Sequence, residues 1–361
     1  MLFRLLRRFW ANTDHSGVKI LKALLGVGLL NILFGMGYYY FEHPVRPELN
    51  LLDSIWWAAV TMTTVGYGDI SPTSLQGRFL VAYPCFLFGV GLLGYLIAII
   101  TEAVIDRITR KRKGTMKITL KNHILICNCP GTDKILKILD ELEGDPETRD
   151  KPVVIICDNI QELPEPLRNR QVQFVKGHPY LETTLHQANV LECAGVFILP
   201  LVVGDPDSDA RTYAIGSIIE LIQNETGKPI KTVAELVNSQ NLRMLQRANT
   251  DGIIVSQGIN ESMIVQEFLH PGIHSTLQQL ITSREGSQLY VHKATKPGKN
   301  FRDLQIATLN HPDDIQLIGL IRDGKHNLNP PKTTTVQPGD SLIFLSGESK
   351  DFTTFEEGVA S

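Results

Sequence analysis

Residues 61–72 read TMTTVGYGDISP, a segment with no charge before Asp69, with glycines at 66 and 68 and a threonine pair at 63 and 64. It lies between two apolar runs, residues 23–41 and 79–101, that contain no Asp, Glu, Lys or Arg. A helix needs roughly 20 residues to cross a bilayer, so both runs are expected to span one. The stretch just before the loop, LNLLDSIWWAAVTMT at 49–63, has helical apolar spacing but is too short to cross, and is expected to be a re-entrant helix. Non-helical backbone is tolerated at membrane depth only where protein buries it or where it lines a watery path, so the glycine-containing run should line a pathway. Gly66 and Gly68 reach backbone angles closed to other residues and let successive carbonyls point inward. A dehydrated cation can then exchange its water shell for those oxygens and the Thr64 hydroxyl.

The motif TTVGYGD at 63–69 resembles the potassium-channel selectivity filter. That resemblance implies K+ as the transported ion and four chains around one axis. It places the coordinating oxygens on Thr64, Val65, Gly66 and Tyr67, with Gly68 closing the run. Trp56 and Asp69 resemble the family's pair in which an indole N–H behind the filter holds a carboxylate at the outer mouth. Where some relatives carry a glutamate behind the filter, this chain has Val60, so no carboxyl pair forms there. In the second span, Gly89 and Gly94 are candidate hinges at which the helix bends to open the inner mouth; close packing through small residues is the alternative, and both stay open. No apolar segment repeats arginine at every third position, so voltage-sensor machinery is not expected.

Basic residues set the orientation. Arg4, Arg7, Arg8, Lys19 and Lys22 precede the first span and Arg107, Arg110, Lys111, Arg112 and Lys113 follow the second, whereas residues 42–78 carry only Arg46 and Arg78. Both termini are therefore expected on the cytoplasmic side of a multi-pass protein of the cell (inner) membrane, with lipid as a partner. The RKRK cluster at 110–113 is expected to be a solvated helix end near headgroups, and no nucleic-acid role is assigned to it. Residues 1–113 hold 12 Lys and Arg against 7 Asp and Glu, and the remainder 23 against 31, so the acidic part reads as an ordinary soluble region. Five cysteines, four of them beyond the spans, point to reduced thiols rather than a disulfide framework. The basic start runs into a span of full length, so no cleavable signal is expected.

After residue 113 the pattern becomes short apolar strands alternating with amphipathic helices. Strands are expected at 123–129, 152–158, 172–178, 194–200, 230–236 and 252–257, with helices such as TDKILKILDELEG from Thr132 and SDARTYAIGSIIELIQNE from Ser208 between them. Alternation of this kind makes a doubly wound parallel (Rossmann-like) α/β sheet the natural solution. The nucleotide fingerprint G-x-G-x-x-G would fall on Asn128, Pro130 and Asp133, none of which is glycine, although Gly131 sits in the same loop. Asp158 ends the second strand where an acid would accept ribose hydroxyls, and the amides of Gly131, Thr132 and Asp133 open a helix that can face a phosphate. NAD or another adenine nucleotide is therefore a candidate ligand; the alternative is that Asp158 caps the next helix and Gly131 only turns the chain.

Two spans, a filter and a Rossmann lobe together resemble the potassium channels gated by cytoplasmic regulator-of-conductance (RCK) domains. The resemblance implies a pore domain over 1–113, with spans near 20–41 and 78–105 and pore helix plus filter over 50–69. A Rossmann-like lobe follows over 114–258, then a helical crossover and dimer interface over 259–284, and a small α+β lobe over 285–361. It also implies ligand gating of a homotetramer, or of an octameric ring completed by soluble copies started at Met116. In calcium-activated relatives an Asp after the third strand joins two glutamates two residues apart. Here His178 stands for the Asp, Glu235 matches the first glutamate and Val237 replaces the second. A calcium site copied from them is therefore disfavoured, while His178 with Glu235 suits a softer divalent metal, or His178 an adenine. Calcium bound instead by GDPDSD (204–209) or HPDD (311–314) competes with plain solvated loops. Cys127 and Cys129, on the first strand, are expected to be buried small side chains. Rival functions are a membrane-anchored nicotinamide-dependent oxidoreductase, which would need a catalytic acid or base that does not stand out, and a potassium-transporter subunit, which would carry four filter-like repeats.

Overall fold

The computed structural model describes residues 16–347 except Gln257, Glu285, Lys296 and Asp313, together with Phe355. Arg4, Arg7 and Arg8, used above for orientation, lie outside the described residues, as does Asp313 of the HPDD segment. Contacts divide the chain into two units, Met1–Lys111 and Arg112–Ser361.

The first unit holds α1 (Ser16–Glu42), α2 (Leu51–Met62) and a π-helical turn (Gly77–Ala82) that runs into α3 (Tyr83–Arg112). Among the described residues two helices, Gly17–Glu42 and Gly77–Arg112, are long and apolar enough to cross a membrane. The 12-residue α2 is not, and it starts cleanly because the Asn50 side chain accepts the Asp53 amide at 2.8 Å. It lies close on α1: a Cβ at Gly35 would stand 2.8 Å from Ile55 Cα, and Tyr38 stacks on Trp57 with ring centroids 3.8 Å apart. Tyr38, Trp57, Ala58, Met62, Val81 and Cys85 form the shared core of these helices. Glu42, fully buried at the end of α1, accepts four hydrogen bonds of 2.6 to 2.9 Å from the backbone amides and hydroxyls of Thr73 and Ser74. Both its oxygens are satisfied, as a buried carboxylate requires, and the turn that starts the last helix is pinned.

The second unit begins with a six-stranded parallel sheet. Its elements are β1 (His123–Cys127), α4 (Thr132–Gly144), β2 (Val153–Cys157), α5 (Glu165–Asn169), β3 (Gln173–Lys176) and α6 (Glu182–Gln187). They continue through β4 (Cys193–Ile198), α7 (Ser208–Thr226), β5 (Thr232–Leu236), α8 (Leu242–Gln246) and β6 (Gly252–Val255). The strand order is β3-β2-β1-β4-β5-β6. Alternation along β1 and β2 feeds two cores: Leu125, Cys127, Val154 and Ile156 pack with Ile215, Ile219 and Ile222 of α7. Ile124, Ile126, Ile155 and Cys157 pack on the other face with Ile135 and Leu139 of α4 and Leu167 of α5. Helices thus cover both faces, which is why the strands are continuously apolar, and the doubly wound sheet is the one the sequence predicts. The strand order reverses between β1 and β4, and in such sheets the crevice at the carboxyl ends beside that reversal takes ligands.

Beyond the sheet come α9 (Ile259–Leu269) and α10 (Ile273–Ile281), parted at Pro271. Ile264, Phe268 and Ile281 on this pair are exposed by 71, 84 and 78%. The chain then returns to α4, where Glu141 accepts from the Ser283 amide at 2.8 Å and the Thr282 hydroxyl at 3.1 Å. The last lobe comprises β7 (Gln288–Lys293), α11 (Phe301–Leu309), β8 (Gln316–Arg322), β9 (Lys325–Leu328) and β10 (Ser341–Ser346), in the antiparallel order β7-β10-β8-β9. Its core is built on Phe301, Leu317, Leu342 and Phe344. The short β9, reached through an Asp323-Gly324 turn, is not among the segments the sequence marks out.

Candidate functional site: a pore loop and a sheet edge

The loop after α2 owes its shape to backbone handedness. Thr64, Gly66 and Gly68 have φ of 61, 55 and 77°, while Val65 and Tyr67 are not left-handed. This alternation is the pattern that lets successive carbonyls face one side. The sequence points to the two glycines for it; the structure adds Thr64, a β-branched residue in a region such residues avoid, so the strain there must be held by neighbours. The holding bonds come from the end of α2: the Val60 carbonyl accepts the amides of Val65 at 3.1 Å and Gly66 at 3.3 Å. Trp56 Nε1 donates to Asp69 Oδ2 at 3.1 Å, and the Trp56 and Tyr67 rings stack 9° from parallel with centroids 6.0 Å apart. Val65, Tyr67 and Trp56 all remain substantially exposed in the single chain.

The two glycines of the second span differ. A Cβ on Gly89 would stand 2.5 Å from Met62 Cα and 2.8 Å from its carbonyl oxygen, so α3 touches the last residue of α2 there. At Gly94 nothing lies within 4 Å of that position. The helix runs unbroken through both.

At the carboxyl edge of the sheet, Asn128 follows β1 with φ 73° and is fully buried. It occupies the first fingerprint position, and asparagine is among the few residues that tolerate a left-handed turn in place of glycine. Its Nδ2 donates to the Leu199 carbonyl at 2.7 Å, tying the ends of β1 and β4 together, and its Oδ1 accepts Arg211 Nε at 3.1 Å. Pro130 removes one amide from the phosphate position, and Asp133 puts a carboxylate in the first turn of α4; both oppose an anion there. Gly131 keeps open space where a side chain would be, and its N–H is directed at the Cys129 sulfur. Thr132 and Asp133 supply first-turn amides with no carbonyl earlier in the helix to take them.

Asp158 follows β2 and meets two partners: Arg211 donates to Oδ1, and His178 Nδ1 lies 2.6 Å from Oδ2 but off the line a hydrogen bond needs. Tyr180 stacks on His178 at 5.0 Å, and the Arg211 guanidinium lies 5.2 Å from the centre of the Tyr180 ring. Asn128, Asp158, His178 and Arg211 are therefore brought together.

His178 and Glu235 are not joined as the sequence pairs them. Glu235 is held by Lys134, whose Nζ lies 2.6 and 2.5 Å from its two oxygens, and His178 faces Asp158. Among the described residues no group of three or more His, Cys, Asp or Glu side chains is gathered to hold a metal. In GDPDSD, Asp209 is fully buried and accepts from the amides of Val237 and Asn238 at 2.8 and 3.0 Å and from Asn241 Nδ2 at 2.8 Å, so it is a structural anchor. All five cysteines are free thiols. Burial pushes the Cys127 thiol up, while a hydrogen bond shared by Cys129 and Cys157 holds the first below the usual thiol range and drives the second above it. Arg211, Lys134 and Glu42 are polar residues that the sequence does not single out; the one available sign was a lone acid closing an uncharged run at 42.

An ion-channel family matches residues 27–106, and the RCK domain of slowpoke-like calcium-activated potassium channels matches residues 119–211. The calcium-gated potassium channel TvoK of Thermoplasma volcanium is 27% identical over 308 residues, covering 84% of this chain and 84% of its own. The putative potassium channel protein YugO of Bacillus subtilis is 24% identical over 340 residues, covering 93% of this chain and 96% of its own. Among solved structures the GsuK channel overlays with a TM-score of 0.48 at 18% identity; the overlay takes in 94% of this chain and 59% of that one, less than two thirds of its length. The pore unit and the sheet unit thus match the two parts of one architecture, that of a two-span potassium channel with an RCK domain, rather than that of the nicotinamide enzymes that share the sheet.

Proposed function

We propose that four chains form a potassium-selective pore whose opening is set by an adenine nucleotide, NAD among them, bound at the carboxyl edge of the RCK sheet. For conduction the supporting observation is the loop of alternating handedness, anchored on Val60, whose carbonyls and Thr64 hydroxyl replace the ion's hydration. For gating it is the convergence of Asp158, Asn128 and His178 beside the β1/β4 reversal, with open space at Gly131. A ligand that favours one ring shape over another biases the inner ends of the α3 helices, and along each helix Gly94 is the freer hinge; Gly89 is confined by Met62. Both termini lie on the cytoplasmic side of the cell membrane.

Calcium, which by its name gates the TvoK relative, is the lesser candidate for this chain. Hard cations want several oxygens, and Glu235 already neutralises Lys134. The exposed apolar face of α9 and α10 is the surface through which RCK lobes pair, since leaving Phe268 in water forgoes about 1.5–3 kcal/mol. Soluble lobes started at Met116 complete the ring; a shorter product that disappears in Met116→Leu supports this, and a wild-type preparation without it leaves the ring to full-length chains.

Potassium flux through reconstituted protein, with NAD, NADH, ATP, ADP and divalent cations added in turn, tests the gating. At least one nucleotide should change the open fraction, and Asp158→Ala should remove that response while leaving basal selectivity intact. Flux indifferent to every nucleotide contradicts the gating and leaves conduction standing.

A further inference from the structure

Resting on the nucleotide proposal, we infer that Arg211 makes the site respond to phosphate, discriminating nucleotides from nucleosides by exchanging Asp158 for a phosphate group. Arg211 is fixed on three sides: Nε on Asn128 Oδ1 at 3.1 Å, a terminal nitrogen on Asp158, and its plane 5.2 Å from the Tyr180 ring centre. Its side chain is only 18% exposed and that of Asp158 23%. Asp158 is the acceptor a ribose would use, and a ribose diol that grips both carboxylate oxygens meets the guanidinium at Oδ1.

The consequence depends on what else the ligand carries. Adenosine would take Asp158 and leave a largely buried cation without its counter-charge, which is the unfavourable way to break such a pair. A nucleotide that takes the same carboxylate supplies a new partner, and a guanidinium fork suits phosphate oxygens. The degraded fingerprint favours this: Pro130 lacks a backbone donor and Asp133 adds a negative charge in the first turn, so a side-chain cation must make up the charge. Lys134, the other cation at this edge, is bound to Glu235, which no ribose on Asp158 would displace.

Titration calorimetry on the full-length protein in detergent, with ADP, NAD and adenosine as probes, tests the exchange. Wild type should bind the best phosphate-bearing ligand at least about tenfold more tightly than adenosine, as one charge-assisted contact allows. In R211Q adenosine should bind as well or better and the preference should shrink to within about twofold; R211K should keep part of it. A second variant reads the exchange without ribose: D158N frees the guanidinium, so inorganic pyrophosphate should bind D158N more tightly than wild type. If ADP or NAD binds but R211Q keeps the full preference, or D158N gains nothing for pyrophosphate, the role of Arg211 is overturned and the nucleotide site stands. If wild type binds none of the probes, both fall.

Discussion

Tyr67→Ala is expected to carry potassium and sodium almost equally where the wild type discriminates. The ring lies 9° from parallel to Trp56, and Trp56 in turn holds Asp69 at 3.1 Å, so side chains on both sides of the loop's outer half brace it. An aromatic pair contributes about 0.5–1.5 kcal/mol beyond its buried area. Loss of that brace lets Thr64, Gly66 and Gly68 relax from a strained alternation, and about a tenfold fall in the potassium-to-sodium permeability ratio is the least expected. Bi-ionic reversal potentials measure it; a ratio unchanged in Tyr67→Ala would mean that the ring does not hold the pathway.

Gly89→Ala is expected to abolish conduction, and Gly94→Ala to spare it. The added methyl at 89 would sit 2.5 Å from Met62 Cα, and the neighbour is backbone, so it cannot swing aside. Overpacking of this kind costs about 1–3 kcal/mol. Met62 is the last residue of α2, two residues before Thr64, so its displacement moves the loop itself. At 94 the methyl meets open space, and alanine favours helix over glycine by about 1 kcal/mol. A stiffer helix there should alter the open fraction while leaving ion preference alone. Single-channel recordings of both variants separate the outcomes; a conducting, selective Gly89→Ala channel would show that the contact with Met62 is dispensable.

These two glycines mark how far the sequence carries. Two apolar runs, a TTVGYGD loop and apolar strands between amphipathic helices each follow from a local requirement, and the pore architecture and doubly wound sheet are legible for that reason. What a glycine faces is not local: at 89 hinge and contact look alike until Met62 is seen opposite. The long-range polar contacts are hidden in the same way. Asp158 and Arg211 are 53 positions apart, Lys134 and Glu235 101, and Glu42 reaches Thr73 over 31. A motif resemblance pairs His178 with Glu235, whereas in the fold His178 faces Asp158 and Glu235 faces Lys134. Asn128 shows the opposite case: as a missing glycine it argued against the turn, yet it holds the turn at φ 73° and ties β1 to β4.

The decisive measurement is cation flux into liposomes that contain the purified full-length protein, with potassium or sodium as the only permeant ion. Potassium should enter rapidly, and sodium should enter at a rate close to that of empty vesicles. Equal entry of the two ions, or none of either under every ligand condition, would contradict a pathway lined by the carbonyls of residues 64 to 67.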